Sequence, residues 1–479
     1  MSSVPPAERL PFRVKVGHGI GSAAYGVKDN GFSVLLLLFY NQVMGLDPGL
    51  VGVVLLVALF LDAIVDPFVG HFVDKTYTRW GKRHPWMYAA IVPMAFCWTL
   101  LWFPPSSLGS GLYIYLLVVA FLMRAAVSCY EVPALTVVPA LSADYDERTS
   151  LTRWRFLSGW GGGLLMLILA FAVFLVPEPG YPVGQLNLNG YHNYGLAGAA
   201  IILASTLIST LTTHKRLAHW PADKPKKLPL RATLGHIGET LSNRAYLIIL
   251  GSTLLTYTNT GVAFSSAAYM LTFLWEMPQT GFLAYSITLF AGVVGAFLLV
   301  GFVQSRIEKH VGAAVFGLIS LIFAIMPYAL RLLDLFPENG SIWLIPALFL
   351  VITLANAFSV ASMMLGQSMA ADVVEAAQEH SGQRNEGLFY AGLFFVQKFA
   401  TGAGIFLTGL ILSLSQFPKN ATPGQVALPV LDMLMVLQII VLVSLGGTST
   451  YLIAQFPIRR ADHEARVRRL AEETQFSGN

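Results

Sequence analysis

Twelve apolar stretches, each near or above the roughly 20 residues a helix needs to cross a bilayer, organise this chain of 479 residues. They cover residues 17–44, 49–73, 85–104, 111–141, 152–176, 192–213, 246–274, 280–304, 312–333, 341–371, 387–416 and 428–456. In hydrocarbon every backbone N–H and C=O must find its partner within the protein, so runs of this length are helices. Composition points the same way: 55% of residues are hydrophobic and 12% charged, about half the charged share of an ordinary soluble domain. The net charge of +4 offers no case for a nucleic-acid partner. Cys97 and Cys129 both lie in apolar runs, with neither a disulfide framework nor metal-ligand spacing around them. The chain therefore reads as an all-α membrane protein.

Basic residues orient it. The amino-terminal residues up to Lys15 are polar and proline-bearing, without the apolar core of a signal peptide. With that end in the cytoplasm, 25 of the 30 lysines and arginines fall on the inner side, while Arg331 and Lys419 fall outside and Lys28, Arg124 and Lys398 lie within spans. Such a skew is what the positive-inside rule describes. The expectation is a multi-pass protein of the cell (inner) membrane with both termini cytoplasmic.

The longest inner connection follows the sixth span and divides the chain. Residues 1–213 are expected to form one six-helix half, 214–245 a cytoplasmic linker, and 246–479 a second half with a cytoplasmic tail. Within the linker, residues 230–241 alternate apolar and polar with helical spacing, which suits a helix lying on the inner leaflet as well as it suits a solvated connection. A faint repeat links the halves: Pro139-Ala-Leu-Ser-Ala-Asp144 ends the fourth span and Ser368-Met-Ala-Ala-Asp372 the tenth. Parallel six-helix repeats are a plan of secondary transporters, with the substrate between them near the midplane.

Within the second span stand Asp62 and Asp66, four residues apart and so on one helical face. A carboxylate at membrane depth costs about 2.5–3.5 kcal/mol on insertion scales, and Leu or Ala would pack better. The pair therefore reads as a site for a proton or a metal cation. Lys398, deep in the eleventh span, needs a carboxylate partner, and these two are the candidates. Glu131 in the fourth span is expected to meet a polar substrate group or to pair with Arg124, two turns earlier. Thr256, Asn259, Ser265 and Ser266, with Asn356, Ser359, Ser362 and Gln367, either line a cavity or join helices, small polar residues serving well as interhelical contacts.

After the second span comes Gly70-His-Phe-Val-Asp74, then Arg79-Trp-Gly81-Lys82-Arg83. Asp74 can pair with the basic residues at the start of the next helix, in contacts that form and break as helices rock. This pattern resembles the loop motif of the major facilitator superfamily. Asp62-Ala-Ile-Val-Asp66-Pro, Arg79-Trp-Gly-Lys-Arg-His-Pro-Trp86, Glu131-Val-Pro133 and Asn385-Glu-Gly-Leu-Phe-Tyr with Lys398 narrow the resemblance to the glycoside–pentoside–hexuronide:cation symporters, of the melibiose permease type. The sodium-dependent lysophosphatidylcholine symporters share this plan.

The resemblance implies a twelve-helix major-facilitator fold and a coupling ion, Na⁺ or H⁺, with no other cofactor. It implies cation ligation by Asp62, Asp66 and Ser128, and coupling through Lys398. Val65 stands where melibiose permeases carry an asparagine, a departure that leaves H⁺ open beside Na⁺. Glu131 and Arg155 match substrate-cavity positions, although Arg155 also suits a helix-start charge. Tyr25, Asp29 and Arg124 join the candidate substrate set. The helix-one sugar acid falls on Gly26 without gaps or on Asp29 with one, and the family's sugar-stacking tryptophan falls on Leu135. These losses favour an amphiphile such as a lysophospholipid over a sugar or glycoside, and a non-transporting sensor is a third reading. An intramembrane enzyme would need a base or a metal set at depth. His18 is the one histidine so placed, His192 and His214 lying at span ends, so no enzymatic activity is expected. The expected partners are the substrate, the coupling cation and the bilayer, with the chain a monomer.

Overall fold

The computed structural model describes residues 10–142, 145–217, 243–303, 306–381 and 386–459. The 230–241 stretch of the linker and the Asn385 position fall outside them. Among the described residues, twelve helical rods account for the twelve apolar runs. The first, α1, is interrupted: α-helical Phe12–Ile20 and Ala23–Asn30, π-helical Gly31–Leu35, a short Leu36–Leu38, and a second π-helical Phe39–Val43. The others are α2 (Pro48–Lys75), α3 (His84–Trp102), α4 (Leu112–Leu141), α5 (Tyr145–Leu169), α6 (Leu188–Leu217), α7 (Arg244–Tyr269), α8 (Gln279–Val303), α9 (Lys309–Leu332), α10 (Leu344–Ser381), α11 (Glu386–Leu414) and α12 (Leu428–Ala454). Among the described residues, 11 of these rods are long and apolar enough to cross a membrane; α1 is the twelfth, broken by Gly21-Ser22 and carrying His18, Lys28, Asp29 and Asn30. It starts earlier than the apolar run at 17, and α10 outlasts its run at 371, because helices continue past the hydrocarbon into polar sequence.

Local chemistry sets several ends. Asp47 accepts a hydrogen bond from the Leu50 amide at 3.0 Å, and Pro48 occupies the first turn of α2, both standard devices for starting a helix. Asn243 caps α7 through the Tyr246 amide at 3.1 Å.

The packing repeats. In the first half α1 lies on α5 and α6, α2 on α4, and α3 on α4 and α6. Six helices later α7 lies on α11 and α12, α8 on α10, and α9 on α10 and α12. This correspondence gives physical form to the faint sequence repeat. The halves meet chiefly through α2 with α11, α1 with α7, and α5 with α8.

Hydrogen bonds along that seam gather at the end away from the basic loops. The Tyr269 hydroxyl reaches the Leu37 carbonyl at 3.2 Å and Asn41 Oδ1 at 3.0 Å. Gln42 donates to the Pro418 carbonyl at 3.1 Å and accepts from the Ala421 amide at 2.8 Å. Gln279 donates to the carbonyls of Phe171 and Leu175. One apolar cluster runs through both halves in this region, while a separate cluster built from α7–α12 and the chain just after α12 supports the second half at the basic end.

Gly26 permits the tightest crossing of α1 on α5. A Cβ there would overlap the Gly159 carbonyl oxygen and come 2.7 Å from the Gly163 nitrogen, whereas one at Gly161 would meet nothing within 4 Å. We expect Gly26→Ala to destabilise the protein by about 1–3 kcal/mol, the usual cost of overpacking, and Gly161→Ala to stay within about 0.5 kcal/mol. Melting curves of the two variants in detergent check this; equal curves would contradict the crossing.

Candidate functional site: a charge cluster across the seam

The Asp pair lies midway along α2. Counted from the helix starts at Pro48 and Leu112, Asp62 and Arg124 stand at nearly equal depth, as do Asp66 and Ser128. α2 and α4 pack together, so the two acids face Arg124 and Ser128. Directly after Asp66, Pro67 lies inside the helix and supplies no N–H, which deprives the carbonyl one turn back of its helical partner.

Asp62 is enclosed, its side chain 2% exposed. Its Oδ2 accepts from Arg124 Nε at 2.8 Å and lies 2.7 Å from Arg124 Nη2. Its Oδ1 accepts from Ser128 Oγ at 3.0 Å. From the other half, Lys398 on α11 brings Nζ to 3.1 Å from Asp62 Oδ2 and 2.6 Å from Asp66 Oδ2. Asp66 is more open, its side chain 27% exposed, and its Oδ1 has no hydrogen-bond partner among the described residues. The expected pairing of Lys398 with the acids is thus realised with both at once, and the side chain turns inward rather than toward an interface. Two carboxylates are here balanced by two protein cations, one from each half.

Arg124 departs from expectation. It does not pair with Glu131. Seven residues along one helix correspond to a rise of about 10 Å, too far for direct contact, and Arg124 is committed to Asp62 and stacked 5.3 Å from the Phe32 ring. Glu131 instead lies 2.5 Å from Arg155 Nη2 on α5. Arg155 is therefore a buried partner and not a solvated helix-start charge. Depth matching between α2 and α4 was the signal that assigns Arg124 to Asp62.

Lys28 belongs to the same region and was missed as a site residue. It is buried, 3.6 Å from Asp29 Oδ1 and 4.0 Å from the Tyr25 ring centroid. Its length lets a helix-one cation reach inward while Asp29, 48% exposed, faces open space. Tyr25 lies one turn from Asp29 and is also exposed. Arg124 and, from the second half, Tyr257 stand within electrostatic range of Asp29. Tyr257 lines a cavity with Thr253, Thr256, Ser362 and Gln367. Other second-half polar residues join helices: Ser265 pairs with Thr408 at 2.6 Å, Gln438 donates to Ser266 at 2.9 Å, and Asn356 donates to the Leu289 carbonyl at 2.9 Å.

In the loop motif, Lys82 Nζ holds Asp74 Oδ1 at 2.9 Å, as the spacing predicts. Arg83 goes elsewhere, donating to Thr136 Oγ1 on α4 at 2.8 Å. Arg79 lies over the Trp80 ring at 5.4 Å. The Gly70 position faces Val132 of α4 at 3.7 Å, and Gly81 turns the chain at φ +79°. The second half has a corresponding tie between Lys309 at the start of α9 and Asp372 on α10, at 2.8 Å.

Comparison with known proteins accords with this arrangement. Residues 17–460 match the family model described as MFS/sugar transport protein, and the chain belongs to that family. It is 26% identical to an uncharacterized symporter of Synechocystis sp., over 89% of each chain. It is 24% identical to the isoprimeverose transporter of Lactiplantibacillus pentosus, over 90% of this chain and 86% of that one. It is also 24% identical to sodium-dependent lysophosphatidylcholine symporter 1 of Gallus gallus, over 86% of this chain and 80% of that one. The inward-open xylose transporter XylE of E. coli shares the fold, with a TM-score of 0.60 at 14% identity over 95% of this chain and 99% of that one. The protein is a multi-pass, twelve-helix membrane transporter of the major facilitator type.

A double-mutant cycle with Glu131→Gln and Arg155→Met should return a coupling energy of about 1–3 kcal/mol, read as melting shifts. Strict additivity would remove the pair from the site.

Proposed function

We propose that the chain is a cation-coupled symporter that carries a small hydroxyl-bearing solute of the glycoside class by alternating access. The observation that carries coupling is Lys398 of one half bridging Asp62 and Asp66 of the other. A cation arriving at Asp66 competes with the Lys398 ammonium for the carboxylate. Its arrival weakens a bond that joins the halves, so occupancy of the site biases the rocking of one half on the other. The gradient acts only through the difference in cation affinity between the two states. Asp74–Lys82 and Lys309–Asp372 tie neighbouring helices at the basic end and move with their halves. That end faces the cytoplasm on the positive-inside reading, in the cell's inner membrane, with residues 1–213 and 246–479 as the moving units and 214–245 between them. The chain works as a monomer, since both halves of the site lie in one copy.

The substrate reading rests on Tyr25 and Asp29. A sugar site needs a carboxylate that accepts paired hydroxyls and an aromatic face. The two residues offer both from one face of α1, with Glu131–Arg155 on the same half and Tyr257 and Gln367 across the seam. This supports Asp29 over Gly26 at helix one and a glycoside over an amphiphile. The lysophospholipid reading keeps one specific support: Leu135, 47% exposed, presents an apolar surface one turn from Glu131. A zwitterionic head at Glu131–Arg155 with its tail along Leu135 is that alternative.

Proteoliposomes with an imposed Na⁺ or H⁺ gradient, loaded separately with labelled glycosides and lysophosphatidylcholine, decide between them. We expect gradient-driven glycoside uptake that falls at least about tenfold in Asp66→Asn and Lys398→Met, a loss of about 1.4 kcal/mol in coupling. Asp29→Asn should raise KM for the glycoside. Uptake of lysophosphatidylcholine alone would select the second reading. Binding without accumulation would select a sensor.

A further inference from the structure

Sodium, a hard cation, is held by lone pairs on several oxygens. The Asp62–Asp66 cluster offers few. Both Asp62 oxygens already accept from the protein: Oδ1 from Ser128, Oδ2 from Arg124 and Lys398. Ser128 donates its proton to Asp62 and keeps its oxygen lone pairs. Arg124 contributes donors only, since a guanidinium has no acceptor and does not deprotonate in proteins. Val65 adds no side-chain oxygen between the acids. Asp66 Oδ1 is the carboxylate oxygen of the pair with no partner. At Asp62 the guanidinium of Arg124 stands where a metal cation would have to bind, so that position does not fit one while Arg124 holds it.

We infer that Arg124 is a tethered cation that occupies the metal position at Asp62 and closes this site to Na⁺, making it the ion-selectivity residue of the transporter. The inference rests on the symport reading and specifies its ion. Lys398 belongs to the other half and leaves when the halves move. Asp62 on α2 and Arg124 on α4 belong to the same half, so their bond persists through the rocking motion. Arg124 is 4% exposed and its side chain is packed beside Phe32, which keeps its guanidinium away from bulk solvent. Breaking such a buried pair leaves an uncompensated charge, so Na⁺ does not displace it. The exchangeable position is confined to Asp66, where Lys398 is the competitor.

The test is Na⁺ binding by the purified protein in detergent, read as the melting shift between sodium chloride and choline chloride at equal ionic strength, with no substrate present. A ligand that binds the folded state raises its melting temperature. Wild type is expected to melt at the same temperature in both salts. Arg124→Ala, which vacates the position, and Arg124→Gln, which offers an amide oxygen there, are expected to melt several degrees higher in sodium than in choline. Should Arg124→Ala fail to fold, Arg124→Gln keeps the side-chain volume and carries the measurement. Sodium stabilisation of wild type would overturn the inference while leaving symport intact. Sodium-insensitive melting of both the wild type and the folded Arg124 variants would overturn the role of Arg124. Gradient-independent uptake in the liposome experiment would defeat the symport reading instead.

Discussion

A carboxylate enclosed at membrane depth has to be paid for by its neighbours, and Asp62 sets the terms for everything around it. Arg124 and Ser128 must stand at its depth on α4, which fixes how α2 and α4 are rotated against each other. Lys398 must reach it from α11, which makes the contact between α2 and α11 the place where the proposed coupling would act as well as a packing surface. Because buried ion pairs gain little net stability over apolar packing, a cluster of this kind is better understood as a switch than as a brace. The bond from Arg124 is internal to one half. The bond from Lys398 crosses between halves, and only that one can report on their relative position.

The rest of the molecule allows that bond to matter. At the end away from the basic loops, Tyr269, Gln42 and Gln279 fasten the halves through hydrogen bonds to backbone and side chain. Toward the basic end, the second half has an apolar core of its own. The halves are thus joined by hydrogen bonds near one end, and the second half has its own apolar core at the other. α1 serves the same arrangement. Tyr25, Lys28 and Asp29 lie in its α-helical Ala23–Asn30 segment, where successive residues are turned about 100° apart, so Lys28 is buried while Asp29 and Tyr25 face open space. Irregular helix, as in its π-helical stretches, is common at functional sites.

Much of this was legible in the residues themselves. Length and apolarity place all twelve rods, because a membrane permits only backbones that satisfy themselves. The four-residue spacing of Asp62 and Asp66 puts them on one face, and an isolated Lys398 in an apolar run demands an acid. The loop spacing anticipates Asp74 with Lys82. Helix rotation was harder to read. Arg124 and Glu131 share a face of α4, and proximity in sequence suggested proximity in space; the helical rise separates them, and each finds a partner on another helix. Lys28 and Asp29 are adjacent, and sequence alone does not say which of two neighbours on an interrupted helix points inward. The second-half hydroxyls were ambiguous for a related reason: Ser265 joining Thr408 and Tyr257 facing a cavity differ only in helix orientation.

The most direct test of the switch is the distance between the halves at the basic end, measured by pulsed electron resonance between spin labels at positions 79 and 306. On adding the coupling cation and substrate, the distance distribution of the otherwise unaltered protein should shift. With Lys398→Met the same additions should leave it unchanged, the bond that senses occupancy being absent. A full shift in Lys398→Met would contradict the account.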